Sequence, residues 1–237
     1  MPGFGASSSE RYSGTVTVEV NFPDQTDTEA ITLVKNRVKA FGEAIRAGFF
    51  FPGTLRGSTT DTVHMEAALL HCELEVVDLA VAAFAVLGGL LMDCRHHEVS
   101  FRSARAMLGT DLQDLLVETG LRPAAVDRPP FTVDFPRERD GNYALLVEIE
   151  FANSVESGTG EAMLDMLALW EVLSLAYPLD PDDPVEVCGA QIYFHDPRTI
   201  HHEESVWENA DPVAWNLLVN LCCAWNRTLP IVRLHVE

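Results

Sequence analysis

Twice along this chain a strand-like alternation of apolar and polar side chains runs into a helix-like one, and that recurrence limits the fold more than any other feature. In the first copy Val16, Val18, Val20 and Phe22 fall on one face, and Thr15, Thr17, Glu19 and Asn21 on the other. In the second copy Leu145, Val147, Ile149 and Phe151 share a face, with Glu148 and Glu150 turned outward. A period of two belongs to a strand buried on one side.

The segments after the two strands match as well. Thr26 and Glu29 form a capping box that opens a helix with Ile31, Val34, Val38, Phe41 and Ile45 on one face, closed by Gly48. After the second strand a helix is expected from about Gly160 to Tyr177, stopped by Pro178 and apolar nearly all round, which suits a central or interface position. Extended segments are then expected at Phe49 to Leu55 and Val63 to Val76, and at Val185 to His195 and Thr199 to Trp207; Glu66 to Glu73 also fits a helix. A second helix comes next in each half. Asp78 caps one over Leu79 to Met92, and Asp211 caps another, with Pro212 in its first turn, to about Arg227. Alternating strands at Glu98 to Arg102 and Ile231 to Val236 close the halves.

Each half therefore reads β-α-β-β-α-β, the order of a ferredoxin-like split βαβ unit. The expected fold is α+β, with two similar ferredoxin-like halves packed together. The first half is residues 1–122, with a flexible N-terminal lead and an extra helix over 103–121 capped by Thr110 and Gln113. A Pro-rich, polar connection spans 123–142, and the second half is 143–237. Residue identity between the halves is weak.

Charge narrows the function classes. The chain has 36 acidic against 16 basic residues, a net of −20. Residues 1–60 are balanced, whereas residues 141–237 carry 16 acids and only three bases, Arg198, Arg227 and Arg233. Such a surface repels nucleic acid and anionic membrane, and attracts basic partners. The longest uncharged apolar run, Leu79 to Met92, falls short of the roughly 20 residues that span a bilayer. The N-terminus has neither the basic start nor the apolar stretch of a secretory signal. Five cysteines, an odd number without zinc spacing, read as buried thiols in a reducing compartment, and the expectation is a cytoplasmic protein.

No serine-hydrolase elbow, H-E-x-x-H motif, P-loop or kinase signature occurs. Four clusters stand out. Around a Pro197–Arg198 turn lie His195, Asp196, His201, His202, Glu203 and Glu204, the donor types of a divalent-metal site. On a strand, however, the neighbours His201 and His202 point to opposite faces, and a solvated hairpin is the simpler account. Asp93, Cys94, Arg95, His96, His97 and Glu98 suggest a thiol–imidazole pair, but basic groups also suit a helix C-terminus. The turn Ser157–Gly160 lacks a phosphate-loop lysine and is flanked by Glu156 and Glu161, so it reads as a capping turn. The acidic run Asp180, Asp182, Asp183 and Glu186 lacks calcium-loop spacing and reads as a solvated loop.

All four tryptophans, Trp170, Trp207, Trp215 and Trp225, lie in the acidic half. Trp215 and Trp225, ten residues apart, fall near one helix face, which puts at least one of them in a core. Aromatic anchors within an acidic surface suit a protein interface. The expected function is a non-enzymatic acidic protein-binding protein without metal or cofactor. Its sharpest form is an intracellular inhibitor of immunity or antitoxin type that neutralises a basic toxin or nucleic-acid-acting enzyme. The expected contact residues are Glu148, Glu150, Asp180, Asp182, Asp183, Glu203, Glu204 and Trp207. The alternatives are a metal-dependent enzyme built on His195, His201 and His202, and a structural oligomer subunit.

Overall fold

The computed structural model describes residues 11–23, 28–56, 64–66, 68–96, 103–106, 110–111, 125–135, 145–176, 186–188, 191–204, 206–208 and 214–237. The chain divides into two compact units, Met1–Ala124 and Ala125–Glu237. It is a mixed α+β structure.

In the first unit the opening alternation becomes β1 (Arg11–Asn21), followed by α1 (Thr28–Ala47), β2 (Thr54–Arg56), β3 (His64–Glu66), β4 (Leu69–Ala80), α2 (Ala83–His96), β5 (Ser103–Ala106) and β6 (Thr110–Asp111). The sheet order is β2-β4-β1-β5-β6, with β3 also paired to β4. β1 and β4 run antiparallel with Val18 opposite Cys72. Their register shifts between Tyr12 and Gly14, where Gly14 takes φ +144°, a value that L side chains rarely adopt. Val16, Val18, Val20 and Phe22 are buried together with Leu70, Cys72, Leu74 and Val76. From α1 come Val34, Val38, Phe41 and Ile45, and the Phe41 ring lies 5.5 Å from Phe50 and 5.7 Å from Phe84. Fully burying each of these rings is worth about 2–3 kcal/mol, so the aromatic cluster is a main stabiliser of the unit.

The second unit contains β7 (Thr132–Asp134), β8 (Leu145–Phe151), α3 (Ser157–Ser174), β9 (Glu186–Cys188), β10 (Gln191–Asp196), β11 (Thr199–Glu204), β12 (Val206–Glu208), α4 (Ala214–Trp225) and β13 (Ile231–Val236). Its main sheet has the order β10-β11-β8-β13-β7, and β9 and β12 form a separate ribbon. Val147, Ile149, Phe151, Ile200, Leu234 and Val236 are buried on one side of the sheet, as are Leu167, Trp170 and Leu173 of α3 and Leu217, Leu218 and Leu221 of α4. Trp170 Nε1 donates to the carbonyl of Ala214 at 2.9 Å, tying α3 to the start of α4.

Several expectations need correction. The extra helix placed over 103–121 is not helical where it is described, because Ser103–Ala106 pairs with β1 and Thr110–Asp111 with β5. The free edge of β1 supplies hydrogen-bond partners, and Ala104 buries itself there, which overrides a weak helix preference. Glu98 to Arg102, expected as the closing strand, lie outside the described residues. Asp78 does not cap α2: it sits inside β4 at φ +54°, and the helix starts five residues later. Of the stretch Glu66 to Glu73, Glu66 ends β3, Ala68 is a turn residue at φ +67° and Leu69 to Glu73 open β4, so the helical alternative does not hold there. Residues 48–52 form turns, not strand, ahead of β2. The 123–142 segment contributes β7, which runs parallel to β13 with Thr132 opposite Arg233. Asp211 and Thr26 lie outside the described residues. Among the described residues, no helix is long and apolar enough to cross a membrane.

Candidate functional site

With α3 and α4 on one side of the second sheet, the other side carries the even-numbered residues of β8, the odd-numbered residues of β11, Tyr193 and His195 of β10 and, past the register shift after Ile231, Arg233 and His235 of β13. Glu148 lies between His201 of β11 and His235 of β13, and Glu150 between Thr199 and Arg233. His201 Nε2 is 3.2 Å from Glu148 Oε2, and His201 Nδ1 is 3.7 Å from Glu203 Oε1. The His201 ring stacks on His195, with centroids 4.6 Å apart and planes 7° apart. Tyr193 donates its hydroxyl to Glu203 Oε1 at 2.6 Å, and this bond to a carboxylate raises the phenol above its ordinary value. At the hairpin turn Asp196 accepts from the Arg198 amide at 2.7 Å and from the Thr199 hydroxyl at 3.1 Å, and these contacts hold its carboxyl below the usual range. Farther across, Arg233 Nε meets Asp134 Oδ2 at 3.1 Å.

The adjacent histidines part company, as neighbours on a strand must. His202 is wholly buried, with Nε2 2.8 Å from Glu171 Oε1 of α3 and the Trp170 ring edge-on at 5.4 Å. It joins sheet to helix and does not share a face with His201 or His195, so the three imidazoles do not converge. Among the described residues no group of three or more His, Cys, Asp and Glu is arranged to hold a metal ion.

The expected contact positions meet mixed outcomes. Glu148 and Glu150 are half-buried on the open sheet face, and Glu203 is exposed there. Glu204 ends β11 and Trp207 lies in β12; only their backbone is described. Asp180, Asp182 and Asp183 lie outside the described residues. Of the expected core tryptophans, Trp215 and Trp225 are each only half-buried, and Trp215 packs against Phe135 with centroids 5.0 Å apart. Trp170 is the fully buried one. In the Cys94 cluster, Arg37 of α1 reaches Asp93 at 2.7 Å, and burial pushes the Cys94 thiol up to about 12, the opposite of an activated nucleophile.

Sequence reading missed Tyr193, Glu171, His235 and a repeat between the units. In the first unit His71 faces Glu19 in register, with Nδ1 3.6 Å from Oε1, and Glu73 lies 3.7 Å from Nε2. Arg105 of β5 stands on the other side of Glu19. The row His71–Glu19–Arg105 thus corresponds to His201–Glu148–His235. Each unit carries His-x-Glu on the strand next to a sheet-edge strand, and aligning His71-Cys72-Glu73 with His201-His202-Glu203 would have revealed it.

No protein-family model matches the sequence, and no curated protein matches it significantly. Solved structures overlap it weakly, two among them as follows. One is a chain of the archaeal box H/ACA sRNP Nop10-Cbf5 complex, with 10% identity and a TM-score of 0.23 over 93% of this chain and 46% of that one. This chain thus spans under half the length of that match. Another is a "putative glycine cleavage system transcriptional repressor", with 10% identity and a TM-score of 0.23 over 95% and 97% of the two chains. Overlap at that level carries no inference about this protein.

Proposed function

We propose that this protein is a non-enzymatic acidic binding protein, an inhibitor of the immunity or antitoxin class, that receives a basic partner protein on the open sheet face of its second unit. The observation carrying the reading is that face itself. Glu148, Glu150, Glu203 and Asp134 line it, His195, His201 and Tyr193 provide flat rings among them, and Arg233 is already engaged by Asp134. With 16 acids against three bases over residues 141–237, a cationic partner is drawn in quickly and salt-sensitively. Four described cysteines are free and buried, which supports a reducing, cytoplasmic setting. Each unit is read as ferredoxin-like, on the support of the matching strand orders β2-β4-β1-β5 and β10-β11-β8-β13.

The metal-enzyme alternative draws no support from His202, which lies on the buried side of the sheet. The test is affinity capture from native lysate at low salt, followed by elution with rising salt. One stoichiometric basic protein, lost when Glu150→Lys and Glu203→Lys are combined, supports the reading. Retention of an acidic protein, or binding indifferent to salt and to both substitutions, defeats it.

A further inference from the structure

The two units share a strand order but treat the corresponding sheet edge differently. In the first unit that edge holds β2, and β4 gives part of the same side to β3. In the second unit the edge is β10, six residues long, and no strand among the described residues pairs with its outer side. Its first five residues, Gln191, Ile192, Tyr193, Phe194 and His195, include no lysine, arginine or proline. Alternate residues of such a strand turn N–H and C=O groups outward, ready to accept another strand.

We propose that β10 accepts an extended segment of the basic partner as an added strand, a segment in which cationic and apolar residues alternate. This rests on the binding role given above and specifies its mode. Strands pair about 4.8 Å apart, so Glu203 on β11 lies roughly 10 Å from the added backbone, within the combined reach of a glutamate and a lysine or arginine. Cationic side chains on the open side pass over Tyr193 and His195 toward Glu203 and Glu148, with the Tyr193 ring offering a cation–π surface. The intervening residues turn to the helix side beside Ile192 and Phe194. There the Phe194 ring packs so closely on Gly160 of α3 that a Cβ at Gly160 would meet it at 2.7 Å. Apolar residues suit that side. A second copy of β10 suits the edge poorly, because self-pairing would bring together two surfaces that each carry 16 acids against three bases over residues 141–237.

The probe is a labelled eight-residue peptide alternating lysine and valine, with two controls: the same composition with the lysines and valines in separate blocks, and the alternating peptide N-methylated at every residue. Binding to the full chain is followed by fluorescence anisotropy, and amide exchange over residues 191–196 by NMR. The alternating peptide is expected to bind at least tenfold tighter than either control, to slow exchange at alternate β10 amides, and to weaken about tenfold with Glu203→Lys. Equal affinity for all three peptides overturns the added strand while leaving attraction to the acidic face standing. Failure of every peptide to bind at low salt overturns the strand and the basic-partner reading together. A peptide-free dimer with protected β10 amides assigns the edge to a second copy and overturns the proposal.

Discussion

Replacing Asp93 with leucine is expected to cost the first unit about 3–5 kcal/mol, the cost of leaving a buried charge without its partner. Arg37 Nη2 lies 2.7 Å from Asp93 Oδ2, and the two side chains are only 13% and 3% exposed. Arg37 Nε is also buried, with no hydrogen-bond partner among the described residues, so the guanidinium depends heavily on this carboxylate. At an m-value of about 2 kcal/mol per molar, the loss moves the urea midpoint down by about 2 M. All four tryptophans lie in the second unit, so far-UV circular dichroism, which reads both units, is the suitable observable. Adding Arg37→Met to Asp93→Leu removes the stranded charge and its orphaned N–H, and should recover at least half of the loss. A cost below about 1 kcal/mol, the worth of a surface pair, would refute the reasoning. So would a double variant no more stable than Asp93→Leu alone.

Three further outcomes are expected. Gly160→Ala should destabilise the second unit by about 1–3 kcal/mol despite alanine's better helix propensity, because its Cβ runs into the Phe194 ring; unchanged or raised stability in tryptophan-monitored unfolding would contradict that contact. His202→Ala should cost about 2–4 kcal/mol by the same measurement, through the lost Glu171 hydrogen bond and the cavity beside Trp170, and a cost below about 1 kcal/mol would count against it. Burial pushes Cys94 up to about 12 and Cys223 up to about 11, so both stay protonated in the folded chain where unfolded thiols ionise. Their contribution is therefore fully present below about pH 8.5 and lost as pH rises through about 11–12. Stability should decline over that window, more gently in a Cys94→Ala and Cys223→Ala double variant, and an identical slope in that variant would show the thiols are not responsible.

The two leading strands and the helices after them were legible because burial on one side leaves a period in the sequence: two in Val16, Val18 and Val20, and roughly 3.6 in Val34, Val38 and Phe41. The separation of His201 from His202 came from the same rule. Other features left little local trace. Ser103–Ala106 becomes strand only because β1 offers it an edge, and Asp78 is held at positive φ by the run of β4, with its amide donating to Ser13 Oγ at 2.9 Å. The Cys94 cluster looked reactive in sequence, yet Arg37, on a different helix, draws Asp93 into an ion pair, and burial silences the thiol.

The sequence by itself determined the α+β class, the strand-then-helix opening of each half and the concentration of acid toward the C-terminus, since periodicity and charge are local properties that chain order preserves. Only the tertiary structure decided which strands pair, that Glu148 meets His201 while His202 is buried against Glu171, that His71 and Glu19 repeat the first pairing in the other unit, and that β10 stands at the edge of its sheet among the described residues. Those relations depend on register between segments far apart in the chain, and register is selected by the packing of the whole sheet against its helices rather than by any one segment.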